Sequence, residues 1–296
     1  MSAFPSEVRI REVGPRDGLQ AEPVLPVADR VRLIDALTES GLREIEAVSF
    51  VSPTAVPSMA DAGEVMRRIH RSDAVSYVAL VPNLRGAELA LAAGVDGLNV
   101  TISASPAYNE KNINRTIAES LAGLGGIVAR AAGLWVDVTV SCAFGSPYEG
   151  DLSATTVARV GTSALDAGAT SLTFADTTGM ATPRRVQELV EVVGPSVRMH
   201  FHETRGTGLV NAFAALQLGV ASFDTSVGGL GGSPFAAGAG GNLATEGLVA
   251  LLDDLEVETG VSLDSLLASC ELLSALVGRP LPSPVATAGP RSRLSV

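Results

Sequence analysis

The stretch VRMHFHE, residues 197–203, combines the alternation of a β-strand with two of the three histidines in the chain. A period of two places His200 and His202 on one face, and Met199 and Phe201 on the other. Methionine and phenylalanine suit a face packed against helices, so we expect both histidines on the inward face. A lone histidine there is usually a core residue, but two protonated imidazoles repel each other. A shared metal ion explains the pair better.

On both sides of this stretch, β-branched apolar runs alternate with helix-period segments along the whole chain. This alternation is typical of βα units around a parallel sheet. Glycine closes the preceding helix in five units, at Gly41, Gly94, Gly133, Gly168 and Gly219. The chain therefore predicts an α/β fold, a (β/α)8 TIM barrel with eight strands: Val8–Val13, Glu44–Phe50, Ser76–Val81, Gly97–Ser103, Trp135–Phe144, Ser171–Asp176, Val197–His202 and Ser222–Val227.

We expect all 296 residues to form a single domain, because α/β barrels routinely reach this length. The barrel is predicted over residues 7–255. The amphipathic segment VSLDSLLASCELLSALVG predicts an extra helix within a C-terminal helical extension, residues 260–296.

The amino-acid composition limits the classes of partner that the protein can bind. A net charge of −11, with no basic cluster and 4% aromatic residues, argues against nucleic acid. No apolar run approaches the roughly 20 residues that span a bilayer. Cys142 and Cys270 lie outside any CxxC motif and are expected to be buried and reduced, and no export signal opens the chain. We expect a cytoplasmic protein with a small-molecule partner.

Polar side chains follow several predicted strands, at the rim where barrel active sites lie. Arg16 and Asp17 follow the first strand, although PRDG alone is equally typical of an ordinary turn. Glu46 lies in an apolar strand, and a buried carboxylate requires a cation or an arginine, for which Arg16 could serve. Asp176 ends the sixth strand.

A glycine-rich segment, GGLGGSPFAAGAGGNLATE, follows the eighth strand and leads to Asn242, which we expect to open a helix. It is consistent with a flexible loop and an asparagine cap, or with a phosphate cradle, but it lacks the GxxxxGK[ST] spacing of nucleotide sites. Two imidazoles with one or two oxygens and room for water favour Mg²⁺ or Mn²⁺ over structural zinc.

Seven motifs resemble, in the same order, those of the hydroxymethylglutaryl-CoA lyase family, within the metal-dependent barrel lyases and Claisen-type synthases. The resemblance covers residues from about Glu12 to Glu246. The motifs are VGPRDGLQ, IEAVSFVSP, KNIN, VSCAFGSPYEG, ADTTG, HFHETRG and GLGGSPFAAGAGGNLATE.

The resemblance implies roles for individual residues. It implies a divalent metal ion held by Asp17, His200, His202 and Asn242. It also implies that Arg16 lies beside the thioester carbonyl, that Glu46 orients Arg16 or the waters of the metal, and that Asp17 or such a water acts as base. Further contacts with the substrate or its coenzyme A portion are expected from Gln20, Lys111, Asn112, Asp176 and Thr178. Lys111 is alternatively a solvated loop charge.

The chain departs from the family pattern at several positions. Ser233 replaces the catalytic cysteine after GLGG, Ser146 replaces a second cysteine, and Glu203 and Arg205 replace an aspartate and an aromatic residue. The segment AEPVLP after Gln20 also lacks the expected lysine. The metal ligands are all present, so these departures concern the proton donor and the substrate.

The leading hypothesis is a divalent-metal-dependent carbon–carbon lyase that cleaves a 3-hydroxy-3-methylglutaryl-CoA-like thioester to an acyl-CoA and an oxoacid. An aldolase or Claisen-type condensing enzyme with another acyl or oxoacid substrate is the alternative. A catalytically silent ligand-binding barrel is less consistent with four retained metal ligands. The resemblance also implies a homodimer.

Overall fold

The computed structural model describes residues 4–232 and 240–291. Within them, eight parallel strands pair in chain order, and β1 pairs with β8 to close the barrel. The predicted (β/α)8 barrel is therefore confirmed. The strands are β1 Arg9–Glu12, β2 Glu44–Ser49, β3 Ser76–Leu80, β4 Gly97–Ser103, β5 Trp135–Ser141, β6 Ser171–Ala175, β7 Arg198–His200 and β8 Ser222–Thr225.

Helices follow the strands and cover the outside of the barrel. Several begin at a side-chain cap, such as Thr116, whose hydroxyl accepts a hydrogen bond from the amide of Glu119. None of the described helices combines the length and apolar character that a membrane span requires. They are α1 Val27–Thr38, α2 Ala62–Arg68, α3 Leu84–Ala92, α4 Pro106–Ile113, α5 Ile117–Ala131, α6 Ala154–Asp166, α7 Pro183–Val193, α8 Gly208–Gln217, α9 Thr245–Asp254, α10 Leu263–Val277 and α11 Pro284–Ala288.

The predicted extra helix is α10, which begins after its cap Ser262 and ends at Gly278 in the left-handed conformation. The five glycines predicted to close helices all have positive φ. At Gly41, where φ is 91°, a Cβ atom would lie 2.2 Å from the carbonyl oxygen of Gly260. Only glycine fits this junction between α1 and the C-terminal segment.

The apolar core lies between the strands and the helices. Leu33 and Ile34 of α1 and Ile45 of β2 are fully buried in it. Met199 and Phe201 belong to the same core, on the face opposite the histidines, as the period of two predicts. Cys142 and Cys270 are buried free thiols, as expected.

The inside of the barrel contains charged side chains below its mouth. Arg11 is fully buried and donates to Asp224 through Nε and Nη2 (2.8 Å each). It also donates to Asp137 of β5 and Thr173 of β6, both at 3.1 Å. Burial disfavours the charged form of Arg11, but the negative charges of Asp224 and Asp137 outweigh this effect and raise the pKa of Arg11. One guanidinium thus connects β1, β5, β6 and β8.

Seven of the eight strands end one to three residues earlier than predicted, and only β4 ends where expected. The differences at β5 and β7 affect the candidate site. β5 stops at Ser141 rather than Phe144, because Cys142 adopts φ 55° and leaves the extended conformation. β7 stops at His200, and His202 instead forms an isolated antiparallel bridge with Asn242. The expectation that Asn242 opens a helix is wrong, because α9 begins at Thr245.

Candidate active site

The turn after β1 brings Arg16 and Asp17 together. Residues Gly14–Gly18 form one π-helical turn, in which the amides of Asp17 and Gly18 both donate to the carbonyl of Val13 (2.7 and 3.2 Å). Nη1 of Arg16 lies 2.6 Å from Oδ1 of Asp17. The PRDG sequence is therefore a turn, and this turn also presents two charged side chains at the mouth.

Arg16 is the partner of the buried carboxylate on β2. Its Nε and Nη2 donate to the two oxygens of Glu46 at 2.9 and 3.1 Å, in a bidentate pair. Nδ2 of Asn99 lies 3.4 Å from both of those oxygens, and Thr139 donates to Oδ1 of Asn99 at 2.9 Å. Burial disfavours the charged form of Arg16, but the negative charges of Glu46 and Asp17 outweigh this effect and raise the pKa of Arg16.

The two histidines face each other beside Asp17. The Nε2 atoms of His200 and His202 are 3.1 Å apart, and Oδ2 of Asp17 is 3.9 Å from Nε2 of His200. Potential ligand atoms of all three residues lie within 4.8 Å of one another. Asn242 donates through Nδ2 to Oδ2 of Asp17 at 2.8 Å, while its buried Oδ1 has no hydrogen-bond partner in the described part of the chain.

This donor set fits a divalent cation. Two ligands at right angles on a cation with bonds of about 2.1 Å lie about 3.0 Å apart, close to the separation of the imidazole nitrogens. Burial, and then the charge of His200, lowers the pKa of His202 to about 3, so its imidazole is neutral. Burial opposes ionisation of Asp17, but Arg16 and His200 lower its pKa. The oxygen of Asn242, which has no partner among the described residues, would add a further ligand atom.

Asn242 reaches this cluster because the backbone at Leu230 and Gly231 passes very close to its side chain. Its Nδ2 also donates to the carbonyl of Leu230 at 2.9 Å. At Gly231, where φ is 128°, a Cβ atom would lie 2.2 Å from that nitrogen. Gly231 therefore makes room for the Asn242 side chain, which binds Asp17 instead of capping α9.

Asp176 is a second buried carboxylate at the end of β6. Its Oδ1 accepts hydrogen bonds from the amides of Met180 and Ala181 (2.7 and 2.9 Å), while its Oδ2 has no partner within residues 4–232 and 240–291. Burial raises its pKa to about 7. The neighbouring Thr178 donates to the carbonyl of Gly145 at 3.0 Å, so its hydroxyl connects two loops of the rim.

Other predicted site residues have no recorded contact, within the described ranges, with the candidate metal ligands. Gln20 is half-buried, and its carbonyl accepts a hydrogen bond from Ser58 at 2.7 Å. Lys111 is exposed on α4, with Nζ 3.8 Å from the ring centroid of Tyr148, and Asn112 follows it half-buried. In the described ranges, no ion pair joins Lys111 to the cluster. Ser233 lies outside the described residues.

Three departures from the family pattern have defined contacts. Ser146 is buried and accepts a hydrogen bond from Ser105 at 3.0 Å. Glu203 accepts from the first amides of α8, including that of Leu209 at 2.8 Å. Arg205 donates to the carbonyls of Thr178 and Gly179 (3.1 and 2.6 Å). These residues shape loops at the mouth.

Sequence reasoning missed Glu12 as a residue that positions the site. Its carboxylate accepts hydrogen bonds from the amides of Gly14 and Val227 (2.6 and 2.9 Å) and from the hydroxyl of Thr245 (2.5 Å). It thus joins the turn that carries Arg16 to the loop after β8. The available signal was a carboxylate near the carboxyl end of the first predicted strand, just before the turn that carries Arg16.

The raised pKa of Glu12 predicts a dependence of stability on pH. Burial raises this pKa from 4.5 to about 7, so the folded state favours the protonated carboxyl. The contribution of Glu12 to the free energy of unfolding is fully present below pH 4.5, declines as the pH rises, and is lost near pH 7. The shift corresponds to about 3 kcal/mol.

Urea unfolding across this pH range tests the role of Glu12. The free energy of unfolding should decline less in Glu12→Gln than in the unaltered protein. The exposed-site control Glu271→Gln should match the unaltered protein, and equal declines in all three proteins would contradict the assignment.

Comparison with known proteins gives one family. The HMGL-like family matches residues 7–273. Hydroxymethylglutaryl-CoA lyase from Bacillus subtilis is 42% identical over 288 residues, which cover 95% of this chain and 96% of that protein. The (R)-citramalyl-CoA lyase of Chloroflexus aurantiacus is 44% identical over 301 residues, covering 96% and 95%.

A solved structure agrees with the sequence comparison. The structure of an HMG-CoA lyase from Acinetobacter baumannii, in complex with coenzyme A and 3-methylmalate, matches with a TM-score of 0.95 at 40% identity. The match covers 100% of this chain and 99% of that one. The similarity therefore includes every element that positions the candidate site.

Proposed function

Because this chain belongs to the HMGL-like family, we propose that it is a divalent-metal-dependent lyase that cleaves a carbon–carbon bond in a 3-hydroxy-3-methylglutaryl-CoA-like thioester. The observation that supports this most directly is the convergence of Asp17, His200 and His202 at the barrel mouth beside Arg16. We propose Mg²⁺ or Mn²⁺ as the ion, held by these three residues and Asn242, because the ligands are nitrogen and oxygen without thiolate.

When bound, a divalent cation lowers the pKa of a hydroxyl group and polarises neighbouring oxygens. In our proposal, Asp17 accepts the proton of the tertiary hydroxyl. The electrons of that O–H bond form a carbonyl, the adjacent carbon–carbon bond breaks, and its electron pair forms the enolate of the acyl-CoA. A proton donor then completes the acyl-CoA. With hydroxymethylglutaryl-CoA, the products are acetyl-CoA and acetoacetate.

Arg16 is suited to stabilise the enolate. A guanidinium has five N–H donors, and three of those in Arg16 are used by Glu46 and Asp17. Two remain for the thioester oxygen, where negative charge develops. Because Glu46 fixes the guanidinium before the substrate arrives, this stabilisation needs little reorganisation. We propose that Gln20, Lys111, Asn112, Asp176 and Thr178 contribute to the substrate-binding surface.

The test is a product analysis by mass spectrometry with Mg²⁺ and hydroxymethylglutaryl-CoA. Formation of acetyl-CoA and acetoacetate supports the proposal. No turnover, together with activity on another hydroxyacyl-CoA or an oxoacid, would favour an aldolase or a condensing enzyme. No turnover of any member of the panel would favour a silent barrel.

A second candidate substrate is citramalyl-CoA. The relative from Chloroflexus aurantiacus is named for it, and its identity of 44% is no lower than that of the hydroxymethylglutaryl-CoA lyase from Bacillus subtilis. The same bond cleavage would release acetyl-CoA and pyruvate. Including citramalyl-CoA in the panel distinguishes the two, because pyruvate and acetoacetate differ in mass.

Ser233→Cys tests the proton donor. A thiol, with a reference pKa near 8.5, is a far better acid than an alcohol for protonating an enolate. If hydroxymethylglutaryl-CoA is the substrate and this acid is limiting, turnover should rise about tenfold or more, equivalent to about 1.4 kcal/mol of barrier. Ser233→Ala is the matched control and should show no such gain. An inert Ser233→Cys variant that still binds metal and substrate would contradict this substrate.

We also propose that the enzyme is a cytoplasmic homodimer. Two-fold dimers are the commonest assemblies of soluble enzymes. Light scattering should give about twice the 30.2 kDa of one chain. A mass of one chain at every concentration would contradict the dimer.

A further inference from the structure

A buried carboxylate lies behind His200, on the side away from the metal ligands. Oδ2 of Asp224 on β8 is 3.3 Å from Nδ1 of His200, whereas Nε2 of the same ring faces His202. The two ring nitrogens therefore have different environments. One meets a carboxylate, and the other meets the candidate cation site.

Asp224 is itself held in place. Nε and Nη2 of Arg11 donate to its two oxygens at 2.8 Å each, and Nε of Arg198 lies 3.6 Å from Oδ1. Arg11 also donates to Asp137 through Nη1 at 3.1 Å, an atom that it does not use for Asp224. Asp224 is only 2% exposed, so neither water nor rotation of its side chain readily replaces these contacts.

We propose that Asp224 is a positioning residue of the metal site and that Arg11 fixes Asp224 for this role. A carboxylate only accepts hydrogen bonds, so a neutral His200 must carry its proton on Nδ1. Its Nε2 lone pair is then directed at the cation. The carboxylate also makes the imidazole a stronger ligand. This inference rests on the metal site of the proposed function.

His202 has no equivalent support. Its Nδ1 is buried without a hydrogen-bond partner among the described residues. The two histidine ligands are therefore unequal: the protein orients the ring of His200 through Asp224, whereas no described side chain defines the tautomer of His202. Removing Asp224 should act on the metal through His200 alone.

Asp224→Asn tests this role, and Asp137→Asn is its matched control. Both variants remove a buried ion pair with Arg11, but the structure records a contact with His200 only for Asp224. Titration with Mn²⁺ can be followed by electron paramagnetic resonance. We expect Asp224→Asn to bind Mn²⁺ about 10- to 100-fold more weakly, the loss typical when a group that supports a metal ligand is removed. Asp137→Asn should lose less than about tenfold, because it has no recorded contact with either histidine. Equal affinities in the two variants would overturn the proposal.

A second measurement needs no variant. With ¹⁵N-labelled histidine and Mg²⁺, the protein gives only three imidazoles in its nuclear magnetic resonance spectrum, and exposed His70 serves as reference. His200 should show a protonated Nδ1 and an unprotonated Nε2. The opposite tautomer would overturn the proposal even if Asp224→Asn fails to fold. A protein that binds Mn²⁺ but cleaves no thioester would contradict the proposed function instead.

Discussion

Replacing His202 with alanine should abolish carbon–carbon cleavage and remove most of the bound divalent metal, and the same result is expected for His200→Ala. Each change deletes a nitrogen from a set of ligand atoms that lie within 4.8 Å of one another. Metal content after dialysis, measured by atomic emission, checks the expectation together with turnover.

The fold should survive these changes. Phe201, between the two histidines, packs in the core on the opposite face, so the contacts that stabilise β7 remain. His202→Ala also breaks no recorded hydrogen bond at Nδ1, because that atom has no partner among the residues that the structure describes.

His70→Ala is the matched control for both histidine variants. His70 is the remaining histidine of the chain, and its side chain is 90% exposed beside Asp35. This variant should keep both metal and activity. Unchanged metal content in His200→Ala and His202→Ala would show that the ion binds elsewhere.

The period-two pattern of strands and the position of charged residues predicted much of this site. Because parallel strands of a barrel end at one rim, residues as distant in sequence as Asp17 and His200 were expected to meet. The inward direction of His200 and His202 followed from Met199 and Phe201 between and beside them. Local periodicity was sufficient for these inferences because side-chain direction in a strand alternates.

The contacts across the barrel could not be predicted in this way. Arg11 and Asp224 are separated by 213 positions, and no local pattern pairs one buried charge with another. Several carboxylates, including those of Asp137 and Glu44, were equally available partners on the inner face. The choice depends on strand register and on side-chain reach inside the closed barrel.

Loop conformation was the other feature beyond sequence reasoning. An asparagine after a glycine-rich segment is typical of a helix cap, yet Asn242 binds Asp17 and the carbonyl of Leu230. The positive φ of Cys142, which ends β5, also has no signal in its side chain, because left-handed residues are commonly glycine or asparagine. Tertiary contacts decide both positions.

Replacing Arg16 with methionine should lower kcat by about a hundred- to a thousandfold, the effect of losing one donor to a developing oxyanion. Metal content should fall less than in His200→Ala, because Arg16 supplies no ligand and contacts only Asp17 among the proposed ligands. Stability should fall by about 3–5 kcal/mol, since Glu46 is then left buried without its cation. Steady-state kinetics and urea unfolding measure the two effects separately.

The double variant Arg16→Met/Glu46→Gln separates the catalytic role of Arg16 from its structural one. Glutamine keeps the shape of Glu46 and can still accept a hydrogen bond from Nδ2 of Asn99, but it carries no charge. Removing both charges should therefore recover most of the lost stability, while kcat stays as low as in Arg16→Met, because no guanidinium faces the thioester oxygen. The single change Glu46→Gln should lower kcat less than Arg16→Met, since Asp17 still contacts Nη1. If the double variant regained activity along with stability, Arg16 would act only by balancing the charge of Glu46, and its proposed contact with the enolate would be wrong.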